Sequence, residues 1–237
     1  MSTRSLQAIC YPSPRFDGTR IFYHWLGSVL HSDMHVLNLG AGPQTGHPLR
    51  ILKGRVRQVV GADIDPIVLD NEELDAAVLI GADGTLPFPD ACFDTVFSDY
   101  VLEHVEDPGR FFGEVRRVLK PGGSFFFRTP NLFHYVAIAA RCTPHWFHHL
   151  VANRVRGAAK DQHAPWPTFY RANTRRRLQN LAHASGFQSC DLRMVETDPA
   201  YLSFFAPLYL LGVAYERTVN AHHALSGMRA NIFGRLQ

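Results

Sequence analysis

The chain has 237 residues, enough for one large domain with a substantial core and too few for two generous ones. Its 46% hydrophobic and 19% charged residues exclude a disordered chain, and a net charge of +3 is too small for a general nucleic-acid binder. Cys10, Cys92, Cys142 and Cys190 stand far apart with no CxxC spacing, which argues for a reducing compartment and against a zinc site. The apolar stretch Ile21 to Leu30 is broken by His24, so no signal peptide is readable.

In chain order, the pattern predicts a helix over Thr19 to Leu30 and then a strand, His35 to Leu39. That strand runs straight into Gly40-Ala41-Gly42-Pro43-Gln44-Thr45-Gly46. Further strands are expected at Gln58 to Asp63, Ala77 to Ile80 and Phe93 to Ser98. A helix over Pro108 to Leu119 carries apolar Phe111, Phe112, Val115, Val118 and Leu119, and Lys120-Pro121-Gly122-Gly123 ends it. A strand at Ser124 to Thr129 follows, then a His-, Pro- and aromatic-rich insertion. Next come a helix over Thr174 to Ser185 with Asn173 as N-cap and Gly186 beyond its end, a strand at Asp191 to Val195, and the uncharged stretch Tyr201 to Tyr215. Several strands lack polar alternation, as strands buried on both faces do. Repeated βα units therefore predict a doubly wound α/β fold with a mostly parallel sheet. The expected organisation is a single domain: an N-terminal helical segment at 1–33, a core at 34–130, a cap insertion at 131–172 and a C-terminal part at 173–237.

Charge is segregated along the chain. Residues 61–107 contain no Lys or Arg and include Asp63, Asp65, Glu73, Asp75, Asp83, Asp90, Asp94 and Asp99. Residues 108–193 are rich in arginine, with Glu114, Asp161 and Asp191 as their acids. Either these are solvated faces, or one half suits a cationic or polyhydroxyl ligand and the other an anionic one.

Two glycines at i and i+2 after a strand let backbone N–H groups face a cleft. In a parallel sheet, ligands bind beyond the carboxyl ends of the strands, where Asp63, Asp83-Gly84 and Asp99 fall. Asp63 lies where a carboxylate can accept from both hydroxyls of a ribose. Gly40-Ala41-Gly42, Asp63, Asp83-Gly84-Thr85-Leu86-Pro87-Phe88, Phe93 to Ser98, Leu102-Glu103-His104-Val105 and Arg117 to Gly123 together resemble a class I S-adenosylmethionine-dependent methyltransferase of the type 11 group.

The resemblance covers about residues 34–130 and implies a seven-stranded Rossmann-like methyltransferase fold with S-adenosyl-L-methionine as cofactor. It implies that Asn38, Gly40, Ala41 and Gly42 hold the methionine moiety. Asp63 and Ile64 would lie at the ribose and its surroundings, Asp83 and Gly84 at the adenine, and Asp99 beside the sulfonium and its methyl group. Two departures stand out: the family usually has Asp or Glu in place of Asn38, and often a third glycine in place of Gln44.

Transfer to a hydroxyl also needs a base, and His104 and His163 are the candidates, with His134 and Tyr170 behind them. His145, His148 and His149 have no carboxylate or cysteine at ligand spacing, so no metal is expected.

Tyr201 to Tyr215 is fifteen residues long, too short to span a bilayer. It reads as a packed helix, an apolar wall for a lipid-like acceptor, or an interfacial helix. Pro207 places a helix start or a kink near it. The expected reaction is O-methylation of a small-molecule or glycan-like acceptor, anionic or apolar, in the cytoplasm with peripheral membrane contact allowed and no nucleic-acid partner. Three rivals are a methyltransferase for a lipid-linked or phosphorylated acceptor, a non-catalytic cofactor-binding subunit, and a nicotinamide oxidoreductase. The last is disfavoured because the final glycine of GxGxxG and any YxxxK pair are missing.

Overall fold

The computed structural model describes residues 3–142 and 166–237. Seven strands, β1 His35–Leu39, β2 Gln58–Asp63, β3 Ala76–Leu79, β4 Phe93–Asp99, β5 Leu119–Pro130, β6 Cys190–Val195 and β7 Asn231–Leu236, form one sheet. Its order is β3-β2-β1-β4-β5-β7-β6. The β1–β2, β1–β4, β2–β3 and β4–β5 pairings are parallel, with Leu37 of β1 between Val60 and Val96. At the far edge Ser189 and Gln237 exchange N–H···O bonds of 3.0 and 3.2 Å, the reciprocal pattern of antiparallel neighbours. The sheet is therefore mixed, and its order differs from the 3-2-1-4-5-6 of dinucleotide-binding folds.

Burial explains the strands. Val36, Leu37, Val96, Phe125, Phe126 and Phe127 are fully buried on both faces of the sheet, so alternation is absent where the sheet is covered twice. Helices follow their local signals. α3, Pro108–Val118, is capped by Asp107, whose side chain accepts from Arg110 N, and it buries Phe112, Val115 and Val118. Arg117 at its end pairs with Glu114 and Asp90 and donates to the carbonyls of Leu86 and Phe88, which ties down the loop before β4.

The six expected strands form, with small shifts at their ends. β5 begins at Leu119, directly after α3. Between the pairs Phe93↔Leu119 and Thr95↔Ser124, β5 advances further than β4, so Lys120–Gly123 bulges with Gly122 at φ 78°. Lys120 reaches back from the bulge to Asp94 at 2.8 Å. α2 is shorter than expected, Gly18–Gly27. The N-cap of α5, Arg175–Ala184, is Thr174 and not Asn173: the Thr174 hydroxyl accepts from Arg177 N, while Asn173 is buried with its amide on Thr129 Oγ1 at 2.6 Å. Gly186 follows that helix at φ 79°, as expected.

Two compact units emerge. A sheet unit comprises Phe22–Thr129, Thr168–Arg193 and Ile232–Gln237, and a second unit comprises Met1–Ile21, Pro130–Pro167 and Met194–Asn231. The second unit contains α1 Thr3–Cys10, α4 Tyr135–Cys142 and α6 Ala206–Ala221. Pro207 lies in the first turn of α6, where a missing N–H costs nothing. α6 buries Tyr209, Gly212, Glu216 and Val219, while Leu208, Leu210 and Leu211 face outward, Leu211 at 67% exposure. Among the described residues no helix is long and apolar enough to cross a membrane.

β7 is the strand the sequence pattern misses. Its Gly234 packs against the far end of the Phe127 ring, and a Cβ there would come within 2.1 to 2.6 Å of three ring atoms. Gly234→Ala should therefore lower stability by about 1–3 kcal/mol through overpacking. Urea unfolding checks this: the midpoint falls while the slope stays constant, and an unchanged midpoint would show that the ring moves aside freely.

Candidate functional site

The glycine turn is shaped by what surrounds it. Gly40 N donates to Ala62 O at 2.7 Å, and φ of 80° turns the chain away from β1. A Cβ on Gly40 would meet Val101 Cγ2 at 2.3 Å, so the turn also packs against the exit of β4. Gly42, at φ 54°, would place a Cβ in open space. Asp63 at the end of β2 pins this turn: Oδ2 accepts Gly42 N at 2.9 Å and Oδ1 accepts Asp65 N at 2.9 Å. Asn71 donates to Gly42 O at 3.0 Å, and Glu73 accepts from the amides of Thr45 and Gly46. Between β1 and β2 the chain makes turns but no helix. Pro43, Pro48 and the glycines 42, 46 and 54 oppose one there, so side-chain hydrogen bonds hold the loop.

Beside this turn opens a cleft of about 470 Å3, open solvent at its mouth included. Asn38, Gly40 and Ala41 line it together with Tyr23, Thr45, Arg50, Glu73, Phe97 and Asp99. Asp99 ends β4 and is held from three sides. Arg128 of β5 grips it through Nε and through Nη2 at 2.8 Å, Tyr23 donates its hydroxyl at 3.0 Å, and Arg50 Nη2 stands 3.4 Å away. The Arg128 guanidinium is packed against the rings of Phe22, Tyr23 and Tyr100. Burial works against its charge, but the hydrogen bonds and charge of Asp99 outweigh that and hold its pKa above the usual value. Burial and the Asp99 carboxylate together push the Tyr23 phenol far up, so it stays a donor. Tyr100 follows at φ 59°, a left-handed conformation costly for a tyrosine, and burial raises its phenol to about 12.

Asp83 and Gly84 follow β3 after a short turn, Gly84 at φ 72°. Asp83 is exposed, bonded to Thr85 and paired with Arg110 at 3.2 Å; its pKa is lowered first by the Thr85 hydroxyl. Ile64, directly after β2, exposes its side chain. His104 ends a 3-10 turn, Leu102–His104, just beyond β4, and is half-buried. Its neighbour Glu103 is buried, accepts from Thr129 Oγ1 at 3.0 Å, and burial raises its pKa. The amides of Phe169 and Tyr170 donate to the Glu103 carbonyl, and Tyr170 sits at φ 52°. The structure thus brings Asn38, Gly40, Ala41 and Asp99 to one cleft. It places Asp63 on the same turn, and Ile64, Asp83, Gly84 and His104 on the loops that leave β2, β3 and β4. His163 and the set His145, His148 and His149 lie outside the described residues. Among those described, no group of three His, Cys, Asp or Glu side chains could hold a metal.

His134 belongs to the second unit. There it packs among Tyr135, Tyr201 and Tyr215, with Nε2 at 3.5 Å from Glu196 Oε2. Burial pushes its pKa down to about 4 and that of Glu196 up to about 7, so between those pH values the contact joins two neutral groups and not an ion pair. Sequence reasoning missed Glu196, Arg50, Tyr23 and Arg128. Only Arg128 had a signal, as a lone arginine inside the apolar run Phe125 to Thr129.

Comparison with known proteins agrees with this geometry. Residues 37–127 match the family model for the methyltransferase domain, the type 11 group, a segment that runs from β1 into β5. Over that segment the chain resembles the class I S-adenosylmethionine-dependent methyltransferases. A probable S-adenosylmethionine-dependent methyltransferase of Mycolicibacterium smegmatis is 34% identical over 96 residues, 39% of this chain and 37% of that protein. The malonyl-[acyl-carrier protein] O-methyltransferase of Serratia marcescens is 32% identical over 102 residues, 42% of this chain and 39% of that one. This chain therefore spans little more than a third of these relatives' length. Among solved structures, an S-adenosylmethionine-dependent methyltransferase of Thermotoga maritima superposes with a TM-score of 0.58 at 14% identity, covering 99% of this chain and 93% of that one. At that identity the likeness is one of fold.

The neutral Glu196–His134 contact sets a pH dependence. Between pH about 4.5 and 6.5 the folded chain holds a proton on Glu196 and the unfolded chain holds one on His134, so their slopes cancel. Glu196→Gln should leave the histidine alone, and stability then rises with pH from about 4 to 6.5. His134→Gln should leave the carboxyl, and stability then falls with pH from about 4.5 to 7. Each slope is at most about 1.4 kcal/mol per pH unit. Urea midpoints measured across this range check it, and slopes of the same sign in both variants would refute it.

Proposed function

We propose that this chain uses S-adenosylmethionine to methylate an oxygen of a small-molecule or glycan-like acceptor. The observation that carries the reading is the side-chain-free turn at Gly42, pinned by Asp63 at the carboxyl ends of β1 and β2. Asp63 uses one lone pair of each oxygen on backbone amides, and the remaining pairs suit the two hydroxyls of a ribose. Exposed Ile64 offers an apolar contact for an adenine face. Asp83 offers an acceptor for its amine once it shares or exchanges Arg110. Asn38 lines the cleft without a charge, so it contributes a hydrogen bond and no Coulombic attraction.

The cofactor supplies an electrophilic methyl group on a sulfonium. What remains for the chain is to place an acceptor oxygen in line with it and keep water out. In this reading His104, on the turn beyond β4, takes the proton from the acceptor hydroxyl. Glu103 next to it fixes the backbone of residues 169–170 through its carbonyl and so shapes the same edge. Oxygen as the target is supported by the O-methyltransferase matched over this segment. A lipid-linked acceptor is the second reading, favoured by the outward Phe204, Phe205, Leu208 and Leu211 of α6 and its entry.

Titration calorimetry tests the cofactor. S-adenosylhomocysteine should bind and NAD should not, and Asp63→Ala should weaken S-adenosylhomocysteine about tenfold or more. An Asp63→Ala variant that binds as tightly as the wild type would remove the assignment of the ribose. Release of S-adenosylhomocysteine with hydroxyl-bearing metabolites against lipid-linked ones then separates the two acceptor classes. Binding without turnover in either class would favour a non-catalytic subunit.

A further inference from the structure

The electrostatics of the cleft do not match the charge pattern that Asn38 breaks, and they suggest what replaces it. Four ionisable groups meet at the end of β4: Asp99, Arg128, Arg50 and Tyr23. Arg128 is 2% exposed and bonded to both oxygens of Asp99, so this pair neutralises itself inside the protein. Tyr23 stays a neutral donor. Arg50 is then a surplus cation. Its side chain is 32% exposed and lines the cleft with Gly40 and Ala41, and its one carboxylate partner among the described residues, Asp99, is one that Arg128 already satisfies. The other acid lining the cleft, Glu73, is occupied by the Thr45 amide and hydroxyl and the Gly46 amide.

We propose that Arg50 anchors the α-carboxylate of the cofactor's methionine moiety, and that Asp99 Oδ2, which keeps its bonds to Arg128 and Tyr23 when Arg50 turns to the ligand, receives the α-ammonium in the place Arg50 leaves. The proposal rests on the cofactor reading above. Its physical reason is that the Arg50–Asp99 contact is single, 3.4 Å long and open to the cleft, whereas the Arg128–Asp99 contact is bidentate and buried. The weaker contact exchanges, while the stronger one keeps the carboxylate in place. A zwitterion brings one charge for each partner of the contact it separates, so no charge is left buried and unpaired. Recognition of the amino-acid end would thus rest on a part-exposed arginine and an acid from β4, in place of an acid on β1.

Two ligands separate this from a general effect on the site. S-adenosylhomocysteine carries the amino-acid end, and 5′-methylthioadenosine lacks it. Calorimetry on the full chain should show Arg50→Met weakening S-adenosylhomocysteine about 10- to 100-fold while 5′-methylthioadenosine changes by less than about twofold. Arg50→Lys should recover part of the loss, since it keeps the charge without the fork. The salt dependence of S-adenosylhomocysteine binding should shrink in Arg50→Met. Equal weakening of both ligands, or none of either, would overturn the role of Arg50. Failure of both ligands to bind the wild type would instead overturn the cofactor reading itself. Retained 5′-methylthioadenosine binding also shows that each variant is folded.

Discussion

The ion pair of Asp99 with Arg128 is the interaction on which the carboxyl edge of the sheet depends. Arg128 is a large cation in an otherwise apolar strand, and taking it out of water is tolerable only because Asp99 meets it with two oxygens and three aromatic rings pack against it. Removing either partner would leave an uncompensated buried charge, which costs about 3–5 kcal/mol. The pair also fixes geometry. It ties the last residue of β4 to its register partner on β5, and the chain leaves β4 through Tyr100 in a left-handed conformation with its amide on the Arg128 carbonyl. Strain of that kind persists only where the surroundings over-determine it, and here the guanidinium lies over the Tyr100 ring at 4.7 Å.

One strand step onward, Thr129 points away from Arg128 to the other face of β5 and joins a second buried polar set. Its hydroxyl donates to Glu103 and accepts from Asn173, so the turn after β4 and the residue before α5 are tied to the same strand end. The two faces therefore carry different work. The Arg128 face fixes Asp99 at the cleft wall, and the Thr129 face locks the loops that carry His104 and Tyr170. This is why Asn173 is not a helix cap: a buried amide on a buried hydroxyl is worth more there than a solvent-side cap, and Thr174 is free to serve instead.

How much of this was legible depended on whether the signal was local. Val36, Leu37 and Phe125 to Phe127 announce strands buried on both faces, and Gly40 and Gly42 announce a turn, because sterics acts within a few residues. The positions of Asp63 and Asp99 followed from strand ends. β7 was not legible, since Asn231 to Leu236 is short and has its reason in the distant Phe127 ring that requires Gly234. Arg50 and Glu73 were invisible for the same reason. Each lies in or beside irregular chain, and its partner is tens of residues away. The absence of a helix after β1 could have been read from Pro43, Gly46, Pro48 and Gly54, but not what would hold the loop in its place.

The acidic run of residues 61–107 shows why charge along a chain is a poor guide to charge in a site. The structure turns most of these acids into acceptors for the protein's own groups. Asp63 and Glu73 take amides of the glycine loop, Asp65 caps a 3-10 turn, and Asp75 takes the Val59 amide. Asp90, Asp94 and Asp99 pair with Arg117, Lys120 and Arg128. Asp75 and Asp90 stay exposed while making these bonds, and among the described residues no group of the acids could hold a metal. A backbone amide brings only a partial charge, so Glu73 keeps its own on the cleft wall, whereas Asp99 is already paired with Arg128. The cation of that wall comes from outside the acidic run: Arg50 lies in the basic stretch 47–57, so a ligand entering there meets both a positive and a negative group.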